Sequence, residues 1–420
     1  MKKNAMNTRK VGFESLLEES DLIARVVPVA AQKGLRDVCV GLLANGRRLF
    51  LAIDSQYRPT ENAHSQIIRA GCLAKVLTAT LMAEAVAEAK LGWDSLIGPI
   101  LAPDNEYAGT LSGVTVRQLL NHTHGLDCSA VEGVAKTGNG RLNIHELYGQ
   151  LAVSRISRPG EIYSYGCAGA WLTAALLEKT YDKSYLELLG DRGLFAAQSQ
   201  RGLISRDGAC PATGGELALS SASWLSFLES HFHSYEILRA DQIPLPGWNP
   251  TEEAACLGWK SYGQGWFGHN SNLSESSAVL RFNPKRQIAI VVSAPGQAIF
   301  FTLAAVFGDL LPEFAQLMPP RLLKPNECAS LELDQYPGTY ARARDAVDIV
   351  LTQERTLTFA IRREQPEPPT LPRLLRAAQH NLFIPASHDA AEFAFIQFVK
   401  GNFSKTFGYL WNGKYLWRRL

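Results

Sequence analysis

Cys72 and Lys75 stand three residues apart in Gly71-Cys72-Leu73-Ala74-Lys75, and Tyr165 follows in a later aromatic loop. A thiol beside an amine on one helical turn is a candidate nucleophile pair. Val76 to Ala89 is rich in Ala, Leu and Glu, with no Pro or Gly, and predicts a helix ended by Gly92. Cys72 then sits at or just inside a helix N-terminus, with Lys75 on the same face. The helix dipole and a neighbouring ammonium both favour a thiolate, drawing a thiol below its usual value of ~8.5. A small buried Cys ahead of a helix with a surface Lys fits the same residues.

The elements that must position these groups follow from pattern. Val38-Leu43 and Arg48-Ile53 predict a hairpin across Asn45-Gly46. Val114 to Leu120 predicts a short helix capped by Thr115. An Ala/Leu helix is expected within Arg158 to Leu189, and another from Ser221 to Phe232 after Gly214-Gly215. Tyr262-Trp266 reads as a strand, Ser277-Phe282 and Ile288-Ser293 as a hairpin, and Ala298 to Leu311 as a helix. Strands at both ends with helices between predict one mixed sheet, built from sequence-distant strands and covered by helices. Pro clusters from Met318 to Pro325 predict a boundary, giving domains 1–325 and 326–420. Beyond it, Ala346-Leu351, Thr356-Arg362, Leu382-Ile384, Phe393-Phe398 and Gly408-Trp417 predict an antiparallel meander, a small barrel or half-barrel. Glu364 to Leu374, with four Pro, reads as a loop.

Composition narrows the classes. The chain has 420 residues, which suits two domains, and its formal charge of +2 argues against a nucleic-acid footprint. Its seven cysteines are odd in number and lack paired or zinc-type spacing, which favours a reducing compartment. No apolar h-region follows Met1-Lys2-Lys3, and no run is long enough to span a membrane. A cytoplasmic protein without cofactor or metal is expected. His122 with His124, and His231 with His233, lack a carboxylate or Cys partner at ligand spacing. Trp259 and Trp266 are expected to be core or cleft wall.

Cys72-Leu73-Ala74-Lys75 resembles the Ser-x-x-Lys element of serine β-lactamases and penicillin-binding proteins, with Cys in place of Ser. Val114 to Leu126, containing Leu-Leu-Asn-His-Thr-His-Gly-Leu, is similar to the Leu-Leu-x-His-Thr-Ser-Gly-Leu signature of the class C-like branch. Pro159-Gly160 to Tyr165-Gly166-Cys167 resembles the Tyr-x-Asn segment, and Ala212 to Ser221 the glycine turn before the next helix. Gly268-His269-Asn270-Ser271 falls where that family has Lys-Thr-Gly or His-Thr-Gly. These motifs occur in the family's order across residues 30–315. Tyr336-Pro-Gly-Thr-Tyr340 and the meander after it resemble the lipocalin-like barrel appended to many such enzymes.

The resemblance implies a β-lactamase/transpeptidase-like α+β domain with an antiparallel sheet flanked by helices, then a small antiparallel barrel. It implies Cys72 as nucleophile, Lys75 and Tyr165 as the proton-handling pair, and His269 at the strand edge. It places Asn270 and Cys167 at substrate-binding positions, and gives the oxyanion hole to the amides of Cys72 and Asn272. His122 would hold a loop near the site. Cys167 stands where Asn is usual and is either a small packed residue or a redox partner for Cys72. Ser271 replaces Gly and is expected to crowd substrate at the strand. These departures argue against a working β-lactamase or peptidase. A thioester acyl-enzyme, open to amine attack, tilts the expectation to acyl transfer or condensation in secondary-metabolite biosynthesis. The donor would be a small acyl group, carried on coenzyme A or a carrier protein, with no nucleic-acid or membrane partner. A hydrolase of the same fold, and a degenerate scaffold that binds a ligand, are the alternatives.

Overall fold

The computed structural model describes residues 18–103, 109–127, 155–193, 212, 217–233, 242–245, 254–273, 276–295, 306–307, 332–343, 345–363, 369–379, 381–386, 395–401, 407–412 and 415–420. An eight-stranded sheet forms the first part. Its strands are β1 (Cys39–Ala44), β2 (Arg47–Ala52), β5 (Ile243–Pro244), β6 (Ala254–Ala255), β7 (Lys260–Ser261), β8 (Phe267–Asn272), β9 (Ser277–Asn283) and β10 (Ile288–Ala294). Their order is β2-β1-β10-β9-β8-β7-β6-β5, and β3 (Ile67–Arg69) pairs separately with β4 (Ala218–Ser220). Every neighbouring pair is antiparallel, so the sheet is not mixed in direction.

Strand periodicity sends alternate residues to opposite faces. On β1, Cys39 and Leu43 join one core, whereas Val40, Leu42 and Ala44 join the other. The first core packs under α2 (Ala74–Ala87), α4 (Val116–Leu120), α5 (Ala168–Tyr181), α6 (Tyr185–Asp191) and α7 (Ser221–Ser230), with the short α3 (Gly98–Leu101) at its rim. The second packs under α1 (Glu19–Lys33) through Leu22, Val26 and Ala30. Because both faces are covered, β1 is buried along its whole length. Each fully buried Val or Leu there contributes about 1.5–3 kcal/mol over an exposed one.

Eight further strands close into an antiparallel barrel: β11 (Gly338–Arg342), β12 (Asp345–Leu351), β13 (Leu357–Arg363), β14 (Arg373–Gln379), β15 (Leu382–Pro385), β16 (Ile396–Lys400), β17 (Phe407–Trp411) and β18 (Leu416–Arg419). Closure runs through Tyr340 opposite Arg419. Tyr336, Tyr340, Phe359 and Trp417 are fully buried in its interior. The Tyr336 hydroxyl donates to Asn381 Oδ1 at 2.7 Å, and the Tyr340 hydroxyl donates to the Tyr336 carbonyl at 2.8 Å.

The two parts share packing. Ile156 and Ile162 of the first part bury against Phe395, Val399, Tyr409 and Trp411 of the barrel. The turn between β11 and β12 reaches across, and the Ala343 amide donates to Asp127 Oδ2 at 2.5 Å. Beside that turn, Arg342 pairs with Asp345 at 2.6 Å with both side chains largely out of water.

Several expectations need correction. Tyr262–Trp266 is the turn joining β7 to β8, with Gly263 and Gly265 at positive φ. Helix α2 stops at Ala87, short of Gly92, because Ala89 takes a left-handed conformation. The Pro-rich loop gives way to β14 at Arg373, a strand that pattern alone did not show. The proposed boundary at 325/326, Gly214-Gly215, and all of the Ala298–Leu311 helix except Val306 and Phe307 lie outside the described residues. No helix among the described residues is long and apolar enough to cross a membrane.

Candidate active site

Cys72 lies on a 3-10 turn, Gly71–Leu73, that runs directly into α2. Lys75, one turn on, is 2% exposed, and its Nζ lies 3.8 Å from Cys167 Sγ. Cys167 is the residue before α5, so the start of that helix brings its thiol to the Lys75 ammonium. Neither Cys72 nor Cys167 is in a disulfide.

Gly71 explains how the turn fits against the sheet. Its φ is +46°, and a Cβ there would stand 2.1 Å from Ser271 Oγ. Ser271 therefore occupies space that the glycine leaves open beneath the nucleophile turn. Ser271 is buried and packs against Gly71. Gly71→Ala combines that overlap with a disfavoured backbone, and the expected loss is at least ~2 kcal/mol of stability. Chemical denaturation of the variant measures it directly.

Tyr165 comes from the loop before α5. Backbone bonds fasten that loop to the segment after α4: Ser164 donates to the His122 carbonyl at 2.9 Å, and Gly160 donates to the Thr123 carbonyl at 2.7 Å. Helix α4 is itself fixed by a capping box, in which Thr115 and Gln118 exchange backbone-to-side-chain bonds. His122 thus holds the Tyr165 loop through its carbonyl, and its ring packs 4.7 Å from that of Tyr165.

The Tyr165 phenol is hydrogen-bonded with the Cys72 sulfur. Burial, then the negative charge that Cys72 and Cys167 can carry, push its pKa well above the usual tyrosine value. At neutral pH it is a protonated phenol, a hydrogen-bond donor rather than a phenolate base. Lys75 Nζ lies 5.0 Å from the centre of its ring.

His269 stands on β8 with its ring 5.9 Å from that of Tyr165. Its Nδ1 is 2.8 Å from the Asn270 carbonyl, which can only accept, so Nδ1 carries the proton. Burial, then the charges of Lys260 and Lys75, hold His269 well below the usual histidine range. It is therefore a neutral imidazole whose Nε2 is an acceptor. Burial and the charge of His124 do the same to His122, with Lys75 and Lys260 adding to the effect. His124 accepts from the Leu126 amide at Nδ1, at 3.0 Å, and burial lowers its pKa to about 4.

Asn270 and Asn272 take the alternate positions of β8, on the face opposite His269 and Ser271, and Asn272 is exposed at the strand end. Contributions from these two to the reacting face fall to their backbone. Asn270 Oδ1 and Ser271 Oγ are buried without a hydrogen-bond partner among the described residues. His231 is tied to the Phe227 carbonyl and Thr80, while Trp259 and Trp266 are buried in the two cores.

Sequence reasoning missed Lys260. It lies on β7 opposite Gly268, the residue before His269, and its Nζ is 4.9 Å from the Tyr165 ring centre. Its one advance signal was position, a lysine eight residues before Gly268 of the Gly268-His269 motif with a Gly-rich turn between.

Comparison with known proteins agrees with this geometry. The profile of the Beta-lactamase family matches residues 23–196. "Penicillin-binding protein 4" of Amycolatopsis lactamdurans is 23% identical over 385 residues, covering 79% of this chain and 96% of the relative. Among solved structures, SurE with D-Leu superposes with a TM-score of 0.74 at 19% identity, covering 96% of this chain and 99% of SurE. A D-stereospecific amidohydrolase from Streptomyces sp. gives 0.54 at 15% identity, over 69% of this chain and 99% of that one. The first part of the chain is thus similar to the Beta-lactamase family over residues 23–196 and has a β-lactamase/transpeptidase-like fold, with a closed eight-stranded barrel as the C-terminal domain.

Proposed function

We propose that this protein is an acyltransferase that works through a thioester at Cys72. The observation that carries the reading is the Tyr165 phenol hydrogen-bonded with the Cys72 sulfur, with the Lys75 ammonium 5.0 Å from the centre of the Tyr165 ring. Cys72 Sγ attacks the donor carbonyl, forming a C–S bond. The bond to the leaving group then breaks, and that group departs with the proton relayed through Tyr165. An amine acceptor next attacks the thioester, gives up a proton through the same phenol, and restores the Cys72 thiol. The family resemblance supports backbone amides of Cys72 and Asn272 as the oxyanion donors.

The donor is an activated acyl group, a thioester on coenzyme A or a carrier protein being the natural form. Secondary-metabolite biosynthesis in the cytoplasm is the context proposed by analogy with the family. SurE with D-Leu and the D-stereospecific amidohydrolase support a D-configured residue on donor or acceptor. The amidohydrolase also supports the second reading, in which water takes the acyl group. Product analysis with and without added amine separates the two.

The test is iodoacetamide labelling against pH, resolved by peptide, in the wild type and in Lys75→Ala. Alkylation requires the thiolate, so its rate rises as pH climbs through the thiol pKa. Cys72 is expected to label fastest, with a midpoint below ~8.5, and to move to higher pH once the Lys75 charge is removed. A Cys72 that labels like the other thiols in both proteins overturns the activated nucleophile.

A further inference from the structure

Two ammonium groups converge on one ring. Lys75 arrives from α2 and Lys260 from β7, and their nitrogens lie 5.0 Å and 4.9 Å from the centre of Tyr165. They are not equivalent. Lys75 is nearly sealed from water and sits against Cys167, whereas Lys260 is partly exposed. Lys260 is therefore the cation that an arriving molecule meets first. Its charge is felt through the site, since it helps keep both His122 and His269 neutral.

What lies beside Lys260 defines the molecule further. Its register partner on β6 is Ala255. Ala255 packs with Tyr163 and Tyr165 in an apolar cluster that also touches Cys72, Ile243 and Leu245. A cation at the edge of an apolar floor, next to a nucleophile, suits a molecule with an apolar side chain and an anionic group. A planar carboxylate in this partly buried setting gains a charge-assisted hydrogen bond that water screens little.

We infer that Lys260 is a specificity residue that binds a carboxylate on the molecule reacting at Cys72, while Tyr163, Ala255 and Ile243 receive that molecule's apolar side chain. The inference rests on the acyl-transfer reading for which molecule reacts, and the carboxylate belongs either to the donor or to the acceptor.

Equilibrium binding to Cys72→Ala tests it without chemistry, using two matched pairs. D-leucine against D-leucinamide represents the acceptor, and succinamate against succinamide represents the donor. In at least one pair the carboxylate is expected to bind ~10-fold or more tightly than the amide. The pair that shows the preference identifies the source. Adding Lys260→Ala or Lys260→Gln should bring that ratio near one, and adding Lys260→Arg should retain most of it. Circular dichroism of each variant controls for folding.

A kinetic arm measures the same ratio in the protein with Cys72 intact. It compares Cys72 acylation by succinyl and butanoyl thioesters, then transfer to D-leucine and D-leucinamide. Absence of a preference in both binding pairs overturns the inference, as does a preference that survives Lys260→Ala. A binding preference that depends on Lys260, in a protein whose Cys72 is never acylated, upholds the inference and overturns the acyl-transfer reading instead.

Discussion

Replacing Cys72 by alanine should lower the rate of the proposed acyl transfer by at least ~10⁴-fold, because a covalent route without its nucleophile has no substitute. Neighbouring sulfur does not rescue it. Cys167 lies against the Lys75 ammonium at the start of a different helix, whereas Cys72 is on the turn that meets β8. Cys72→Ser is the more informative variant. A hydroxyl needs a base at the moment of attack, and the Tyr165 phenol is held protonated by burial and by the charges that Cys72 and Cys167 can carry. The serine protein should therefore acylate at least ~10²-fold more slowly than the wild type at neutral pH. Intact mass after a single turnover with a thioester donor reads both variants. An acyl mark that survives Cys72→Ala and maps to another cysteine moves the nucleophile elsewhere.

Mild acid should destabilise the first domain well before its carboxylates protonate. His122, His124 and His269 are buried and neutral, and all three have pKa values lowered from 6.5, His124 to about 4. In the unfolded chain each takes up a proton near ~6.5. Below that pH the unfolded state binds more protons than the native state, so stability falls as pH falls. The contribution is fully present above the unfolded value and is lost progressively toward the folded one. His124 alone accounts for about 3 kcal/mol across its window, a large share of a typical domain's 5–15 kcal/mol. The other two act in the same direction and extend the loss further into acid. Urea midpoints at pH 7.5 and pH 5 measure the effect, and His124→Gln should flatten the dependence. Equal midpoints at both pH values contradict the neutral buried imidazoles.

The sequence displayed the nucleophile turn, Lys75, Tyr165 and His269 because each belongs to a short ordered motif whose spacing is local. Thr115 and Gln118 were equally legible, since a capping box is written within four residues. Lys260 was not. Its strand is two residues long, too short to show a period, and register with β8 alone brings it to Tyr165. Strand β8 was visible only as a motif, because Phe-Gly-His-Asn-Ser-Asn lacks the β-branched residues that mark strands. The packing of Ser271 against Gly71 was hidden for a related reason: the glycine stands two hundred positions earlier in the chain, a contact that no local pattern records. The barrel's alternating aromatics were legible, but β14 lay hidden behind four prolines.

The bond between Asp127 and the Ala343 amide divides responsibility unevenly between the two domains. On one side stands a specific carboxylate, one residue beyond the His122–Leu126 segment that secures the Tyr165 loop. On the other stands a main-chain N–H, which any residue except proline supplies. At that bond the barrel accepts any residue but proline, whereas the apolar seam of Ile156 and Ile162 against Phe395, Val399, Tyr409 and Trp411 depends on side chains from both domains. Between the domains lies a cavity of about 510 Å³, walled on the barrel side by Val399 and Lys400 and on the other by Gln118, Glu161 and Tyr163. Val399 belongs both to that wall and to the apolar seam, so a substitution there alters the cavity's shape and the fit between the domains together.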